Sequence, residues 1–112
     1  MKQTLLNDLE LSLFCENLSM MLGAGIPSGE ALELFCEDIE PGPFQEGVRR
    51  VLDCLEETHS LPASLRAAGC FPNYLSDMVE VGEIAGRTEQ VLKRLAAYYE
   101  GQDALQKKLR SA

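Results

Sequence analysis

Apolar residues recur at spacings of three and four along almost the whole chain, and this spacing is typical of amphipathic α-helices. The first segment shows the pattern as one stripe, which consists of Leu11, Phe14, Cys15, Leu18, Met21 and Leu22. No run of alternating apolar and polar residues is enriched in β-branched side chains, so the sequence predicts no strand. The pattern as a whole predicts an all-α fold.

Glycine and proline divide this pattern into six segments, because glycine readily ends a helix and proline cannot continue one. The breaks lie at Gly23-Ala24-Gly25, Pro41-Gly42-Pro43, Leu61-Pro62, Phe71-Pro72 and Gly86. The third helix is predicted at about 43–58, the fifth at about 73–84 and the sixth at about 88–109. Ser28 and Thr88 are expected to cap the second and sixth helices. Short connections favour a compact bundle of about six antiparallel helices.

The 112 residues suit one domain, and no linker or low-complexity segment divides them. We expect residues 1–112 to form a single helical domain, with roughly residues 1–9 as an N-terminal extension. The longest uncharged runs are far shorter than the roughly 20 residues that a membrane-spanning helix needs. The acidic residues near the start do not fit a signal peptide.

The formal net charge of −8 argues against a nucleic-acid partner, because phosphate binding needs a basic face. Residues 1–86 hold 4 basic and 15 acidic side chains, a net of −11, whereas residues 87–112 hold 6 and 3, a net of +3. The last cations, Lys107, Lys108 and Arg110, fit two interpretations. They complement the dipole at a helix C-terminus, or they mark a juxtamembrane segment whose cations stay in the cytoplasm.

The four cysteines and the single histidine, His59, offer little for catalysis. None of the cysteines forms the CxxC pair that zinc sites use, and three lie in apolar helical stripes. We expect all four thiols to be free and mostly buried. No catalytic motif is present. The sequence predicts no catalytic residue, no metal ligand and no cofactor.

Acidic residues crowd the second predicted helix and its end. Glu33 and Glu37 are one helical turn apart, and Glu40 follows them. Carboxylates at this spacing usually form a solvated helix face. A divalent ion held between acidic helices is the open alternative, although no calcium-loop pattern is present.

The segment Val81-Gly82-Glu83-Ile84-Ala85-Gly86 is unusual, because two glycines four residues apart weaken a helix by roughly 1 kcal/mol each. Glycine permits a sharp turn or the close approach of another backbone. One interpretation is a tight turn between helices. The other is a contact point for a partner, with Glu83 near the bundle surface.

Two adjacent tyrosines, Tyr98 and Tyr99, lie in the sixth predicted helix. The apolar stripe of that helix also contains Val91, Leu92, Leu95, Leu105 and Leu109. Neighbouring side chains on a helix point roughly 100° apart, so both rings cannot enter one narrow core. We expect an exposed aromatic pair.

These elements together resemble the F-domain of type II secretion and type IV pilus systems, over roughly nine-tenths of the chain. One match is an amphipathic helix with Phe14, followed by Ala24-Gly25-Ile26-Pro27 and Ala31-Leu32. A more distinctive match consists of Phe71-Pro72, Met78-Val79, Gly82-Glu83-Ile84-Ala85-Gly86 and Tyr98-Tyr99-Glu100. Ala85 departs from the family, which has Ser at that position.

The resemblance implies a non-catalytic scaffold domain of a platform protein, on the cytoplasmic face of the inner membrane. It implies contacts with a cytoplasmic assembly ATPase and with other platform copies, and together with the tyrosines it predicts a weak homodimer. It places residues 107–112 beside a membrane span that this chain lacks, which favours the juxtamembrane interpretation. The acidic residues 1–86 are then expected to face a basic surface on the ATPase, and the alternative is that their charge only keeps the domain soluble. Secretion, pilus assembly and DNA uptake all fit this family.

A free-standing helical adaptor with the same bundle is the main alternative, and a small thiol- or metal-dependent enzyme is a weaker one. An apolar run of about 20 residues after residue 112 in the gene would support the platform protein over the adaptor.

Overall fold

The computed structural model describes residues 5–111, and within this range it has six α-helices and no strand. The helices are α1 (Asp8–Gly23), α2 (Ser28–Asp38), α3 (Pro43–Thr58), α4 (Leu61–Ala68), α5 (Asn73–Ala85) and α6 (Thr88–Ser111). The predicted all-α fold is confirmed, and α3 has the predicted bounds. The predicted extension to about residue 9 overlaps α1, which already begins at Asp8.

A capping box starts α1. The side chain of Asn7 accepts a hydrogen bond of 2.8 Å from the amide of Glu10, whose carboxylate accepts one of 2.9 Å from the amide of Asn7. Leu6 is buried, and its amide donates to the carbonyl oxygen of Cys70 at 2.9 Å. The start of α1 is therefore fastened to the connection between α4 and α5.

Ser28 does not cap α2, contrary to the prediction. It is the first helical residue, while Pro27 occupies the cap position in an extended conformation and no side chain caps the first amides. Proline suits this position because its fixed φ is compatible with extended backbone. Thr88 is likewise the first residue of α6 rather than the residue before it.

The core surrounds a cluster of three phenylalanines. The ring centroid of Phe14 lies 6.1 Å from that of Phe35 and 4.9 Å from that of Phe71. The aliphatic side chains that are fully buried around them include Leu11, Leu18, Leu32, Val48, Val51, Leu61, Leu65, Leu75, Val79 and Leu92. Every helix contributes to this list, so one continuous core unites the domain.

The two ends of the chain meet, because α1 and α6 make the most extensive helix contact in the fold. The hydroxyl of Ser12 donates to the carbonyl oxygen of Ala96 at 2.9 Å, and that of Ser19 donates to the carbonyl oxygen of Glu89 at 3.0 Å. These pairs run in opposite directions along the two helices, so α1 and α6 are antiparallel. The other main contacts join helices that are consecutive in the sequence.

The last third of α6 departs from the predicted apolar stripe. Leu105 is 51% exposed and Leu109 is 68% exposed. In the first turn of α5, the ring of Tyr74 lies 5.4 Å from that of Tyr98. Beyond this point α6 extends past the start of α5, which leaves both leucines exposed.

The tyrosine pair also differs from the prediction, since one ring is buried. Tyr99 is 5% exposed and belongs to the core, whereas Tyr98 is 47% exposed. The turn of roughly 100° between neighbouring side chains places them on different faces of α6. The expectation of an exposed pair is wrong for Tyr99.

The cysteines are all free thiols, but which of them are buried does not follow from the predicted apolar helical stripes. Cys15 and Cys36 are buried as predicted, and Cys54 is only half-buried. Cys70 lies outside any stripe and is buried too. Its Sγ lies 2.8 Å from where a Cβ at Gly47 would stand, so a glycine makes room for this thiol.

Candidate functional site

The glycine segment forms the turn between α5 and α6. Gly86 follows α5 in the left-handed conformation, with φ of 70°. Its amide donates to the carbonyl oxygen of Glu83 at 3.2 Å, and the amide of Arg87 donates to the carbonyl oxygen of Gly82 at 2.7 Å. These two bonds define a Schellman motif, in which glycine avoids the steric penalty of a β-carbon.

Gly82 also lets α5 and α6 approach each other closely. It is buried, and a Cβ there would lie 2.9 Å from Cγ2 of Val91 and 3.3 Å from Cα of Thr88. This geometry favours the tight-turn interpretation for both glycines. Within the segment, Glu83 is the residue that lines an open cleft.

This cleft, which we term the acidic cleft, has a volume of about 520 Å³ and lies where the ends of α2, α3, α4 and α5 meet. Three carboxylates from three helices surround it, those of Glu33, Glu56 and Glu83. The remaining lining residues are Ser28, Gly29, Leu52, Leu55, His59 and Leu61. The leucines are buried or half-buried, so the cleft combines an apolar floor with an acidic rim.

The carboxylates of the acidic cleft have no compensating cation among the residues that the structure describes. None of the three forms an ion pair with any residue in 5–111, whereas the nearby Glu80 binds Arg66. Partial burial, together with the Glu80 carboxylate, raises the pKa of Glu83. A cation brought by another molecule would therefore stabilise this site.

His59 borders the cleft in a strained conformation at the end of α3. Within residues 5–111 it is the one residue other than glycine with positive φ, at φ 57° and ψ 22°. Its amide donates to the carbonyl oxygen of Leu55 at 2.9 Å. A β-carbon in this region costs roughly 1–2 kcal/mol, and the left-handed conformation here is the usual way in which a helix ends.

The acidic cleft continues along the α5–α6 turn as a shallower groove of about 420 Å³. Ser28 and Glu83 line both spaces. The groove adds Glu89, whose Oε1 lies 2.6 Å from where a Cβ at Gly23 would stand. A fourth carboxylate thus extends the acidic surface to the first turn of α6.

Of the three acids predicted on and after the second helix, the structure places only Glu33 in the cleft. Glu37 lines a separate groove beside Met21, and Glu40 is exposed in the α2–α3 connection. Sequence reasoning missed Glu56, because it lies in a different helix and no spacing rule connects it to Glu33. The only sequence feature that pointed to Glu56 was its position near the predicted end of the third helix.

Tyr98 belongs to a second feature, which we term the α5–α6 pocket. This pocket has a volume of about 200 Å³ and is lined by Tyr74, Met78, Val91, Arg94, Leu95 and Tyr98. Tyr99 does not line it, and burial raises the pKa of Tyr99 above the usual range. Only one member of the predicted pair therefore faces outward.

The acidic cleft has the charge and the apolar floor to recognise a cationic group. No three His, Cys, Asp or Glu side chains within residues 5–111 are arranged to hold a metal ion. A basic side chain is the complement of this cleft, because its aliphatic stem packs on leucine while its charged head meets a carboxylate. Across the described part of the chain, no helix has the length and hydrophobicity that crossing a bilayer demands.

The sequence model of the family described as "Type II secretion system (T2SS), protein F" matches residues 14–112. Type II secretion system protein F from Aeromonas hydrophila is 36% identical over 92% of this chain and 27% of its own length. Type IV pilus assembly protein PilC from Pseudomonas aeruginosa is 28% identical over 93% of this chain and 28% of its own length. PilC from Thermus thermophilus is 30% identical over 92% of this chain and 25% of its own.

This chain therefore spans about a quarter of the length of these curated relatives. The family match itself covers nearly every residue and includes all of α2 to α6. The chain belongs to the type II secretion system protein F family.

Proposed function

We propose that this domain is a non-catalytic scaffold of an inner-membrane platform protein in type II secretion or type IV pilus assembly. Its acidic cleft contacts a basic surface of the cytoplasmic assembly ATPase, and other faces contact further platform copies. The domain does no chemistry of its own. The observation that carries the proposal is the set of three carboxylates around an apolar floor, none of which has an ion-pair partner within residues 5–111.

The acidic cleft and the basic end of the domain lie at opposite ends of α6. The groove that extends the cleft reaches Thr88 and Glu89, whereas Lys108 and Arg110 lie in the last turn. Because α6 has 24 residues, its ends are about 36 Å apart. Attachment to the membrane near residues 107–112, through a span outside this chain, would leave the cleft open to the cytoplasm.

Charge and apolar surface contribute differently to such a contact. The net charge of −11 over residues 1–86 steers a basic partner and sets the association rate. Affinity comes from the few side chains that become buried, which here are the leucines of the cleft floor and the carboxylates beside them. A partner that inserts lysine or arginine beside an apolar side chain satisfies both requirements.

The proposal is tested by titration calorimetry with the ATPase of the same system. The cleft variant carries Glu33→Lys, Glu56→Lys and Glu83→Lys. The matched control carries Glu16→Lys, Glu37→Lys and Glu40→Lys, which change the net charge equally at exposed positions outside the cleft. We expect the cleft variant to bind at least about tenfold more weakly and the control to lose at most about threefold.

An equal loss of affinity in both variants would show that overall charge causes the effect and that the cleft does not contact the ATPase. Unchanged affinity in both variants would show that the acidic surface serves solubility and that the ATPase, if it binds, uses another face.

A further inference from the structure

Helix α1 carries apolar side chains on two opposite faces. Leu11 and Leu18 point into the core, and each is 2% exposed. Leu9, Leu13 and Met20 follow one another at spacings of four and seven, which places them on the outer face, where they are between 44% and 61% exposed. A helix that is apolar all round is normally covered all round. The outer face of α1 therefore has the composition of a buried surface.

A groove between α1 and α2, which we term the α1–α2 groove, borders this outer face. It has a volume of about 490 Å³ and is lined by Asn17, Met21, Leu34, Phe35, Glu37 and Asp38. Its floor is aromatic, because the buried ring of Phe35 packs against that of Phe14 with the centroids 6.1 Å apart. Leu34 stands at its side and is 44% exposed. Asn17 follows Leu13 by one helical turn, so the groove and the exposed stripe of α1 form one apolar surface.

The charged groups around this surface are all acidic. Residues 5–48, which include α1 and α2, contain nine Asp or Glu and no Lys, Arg or His. Glu16 lies exposed among the apolar side chains of the outer face, and Glu37 and Asp38 line the groove. None of these three carboxylates has an ion-pair partner in the described part of the chain. The complementary surface is therefore apolar with cationic flanks.

We propose that the α1–α2 groove and the outer face of α1 bind an amphipathic helix of another protein, with its aliphatic side chains on the groove and its lysine or arginine side chains along the acidic rim. The stripe from Leu9 to Met20 is about 17 Å long, or three helical turns, which suits the apolar face of such a helix. An anionic bilayer is the wrong partner, because the carboxylates repel its headgroups. This contact goes beyond the proposed function and does not depend on the ATPase.

A synthetic peptide serves as the probe. It is a fluorescein-labelled helix of about 18 residues, with leucine at spacings of three and four and with lysine or arginine beside the leucine face. Fluorescence anisotropy with the 112-residue chain should show saturable binding. A peptide of the same composition, with its leucines spread around the helix, should bind at least about tenfold more weakly, because the groove requires an apolar face. Equal affinity of the two peptides would reduce the contact to charge attraction and overturn the proposal.

The apolar surface is tested by the double variant Leu13→Gln with Leu34→Gln. Its matched control is Val81→Gln with Ile84→Gln, at two exposed apolar side chains of α5. We expect the first variant to bind the amphipathic peptide at least about tenfold more weakly and the control to bind it like the unmodified chain. Circular dichroism checks that both are folded. Unchanged binding of the first variant would show that the peptide lies elsewhere.

The acidic rim is tested by a groove variant with Glu16→Gln, Glu37→Gln and Asp38→Asn. A variant with Glu33→Gln, Glu56→Gln and Glu83→Gln changes the net charge equally within the acidic cleft. The groove variant should lose at least about tenfold in affinity for the peptide, and the cleft variant at most about threefold. Equal losses would mean that the peptide responds to overall charge, and the groove would not be its site.

Two other occupants are outcomes that would overturn the proposal. A second copy of the chain would give a dimer in sedimentation equilibrium that Leu13→Gln with Leu34→Gln abolishes. A lipid surface would give binding to vesicles of phosphatidylglycerol and phosphatidylethanolamine that the same variant abolishes. We expect neither effect of this variant.

This proposal and the ATPase contact fail separately. The groove variant leaves the acidic cleft intact, so it should bind the ATPase like the unmodified chain. Loss of peptide binding in the groove variant, together with normal ATPase binding by the cleft variant, would refute the ATPase contact and keep this one.

Discussion

The hydroxyl of Ser12 donates a hydrogen bond of 2.9 Å to the carbonyl oxygen of Ala96, which joins α1 to α6 across 84 positions of the chain. Seven residues further along α1, Ser19 makes the same contact with Glu89. A slip of either helix by one residue would break both bonds. The two serines therefore fix the register of the main helix contact and the position of the first turn of α6 beside the acidic groove.

Replacing Ser12 or Ser19 by alanine should lower the free energy of unfolding by about 1 kcal/mol each, the usual contribution of one buried hydrogen bond. Urea unfolding followed by circular dichroism measures this. Ser28→Ala is the matched control, because Ser28 is half-buried and makes no side-chain cap bond. Equal stability of all three variants would show that the two serines do not fix the register between α1 and α6.

Alanine substitutions at Gly82, Gly86 and Gly101 should not all change the stability in the same direction. Gly86→Ala should cost about 1–2 kcal/mol through the left-handed backbone, and Gly82→Ala about 1–3 kcal/mol through the contact with Val91. Gly101→Ala should instead stabilise the chain by about 0.5–1 kcal/mol, since it lies within α6 with nothing near its side. A loss of stability in Gly101→Ala similar to the other two would contradict this assignment.

Thiol reactivity should separate Cys54 from the other cysteines. Cys15, Cys36 and Cys70 are at most 1% exposed, whereas Cys54 is half-buried. Ellman's reagent at neutral to mildly alkaline pH should therefore react quickly with one thiol and with the other three only on unfolding. The fast phase should disappear in Cys54→Ser. Its persistence there would show that one of the three buried thiols is accessible.

Cys15 should make stability fall in alkaline solution. Burial raises the pKa of its thiol from 9.0 to about 12. Between these pH values the Cys15 thiol loses its proton in the unfolded chain and keeps it in the folded chain. The contribution of this thiol to the free energy of unfolding is therefore complete below pH 9 and declines as pH rises towards 12. The decline is about 1.4 kcal/mol per pH unit at most.

Cys15→Ala provides the comparison, because it removes this proton and leaves the other titrating groups in place. Urea unfolding at several alkaline pH values should show a shallower decline in the variant. Parallel declines in the two proteins would mean that Cys15 does not control this pH dependence.

The helices could be predicted from the sequence because their signals are local. The breakers Pro43 and Gly86 lie at helix ends that the structure confirms, and the apolar stripes of the first five helices mostly enter the core. The exposure of Leu105 and Leu109 could not be predicted in this way. It depends on where α5 starts relative to α6 in space, and periodicity within one helix contains no information about its neighbours.

The candidate site, like the fold, could be predicted from the sequence only where the signal is local. The spacing of Glu33 and Glu37 identified one acidic helix face, but the acidic cleft gathers Glu33 from the middle of α2 and Glu56 and Glu83 from the last turns of α3 and α5. Only the packing of these helices determines which acids share a cleft. The strain at His59 was equally invisible, since nothing in the sequence requires left-handed backbone at that residue.

The salt dependence of ATPase binding tests the central claim most directly. The affinity of the unmodified chain and of a neutral cleft variant, with Glu33→Gln, Glu56→Gln and Glu83→Gln, is measured from low to high salt. The account predicts that the affinity of the unmodified chain falls steeply with salt, while the variant binds more weakly at low salt and loses affinity less steeply, since only the other acidic residues remain. The same affinity and the same salt dependence in both proteins would contradict it.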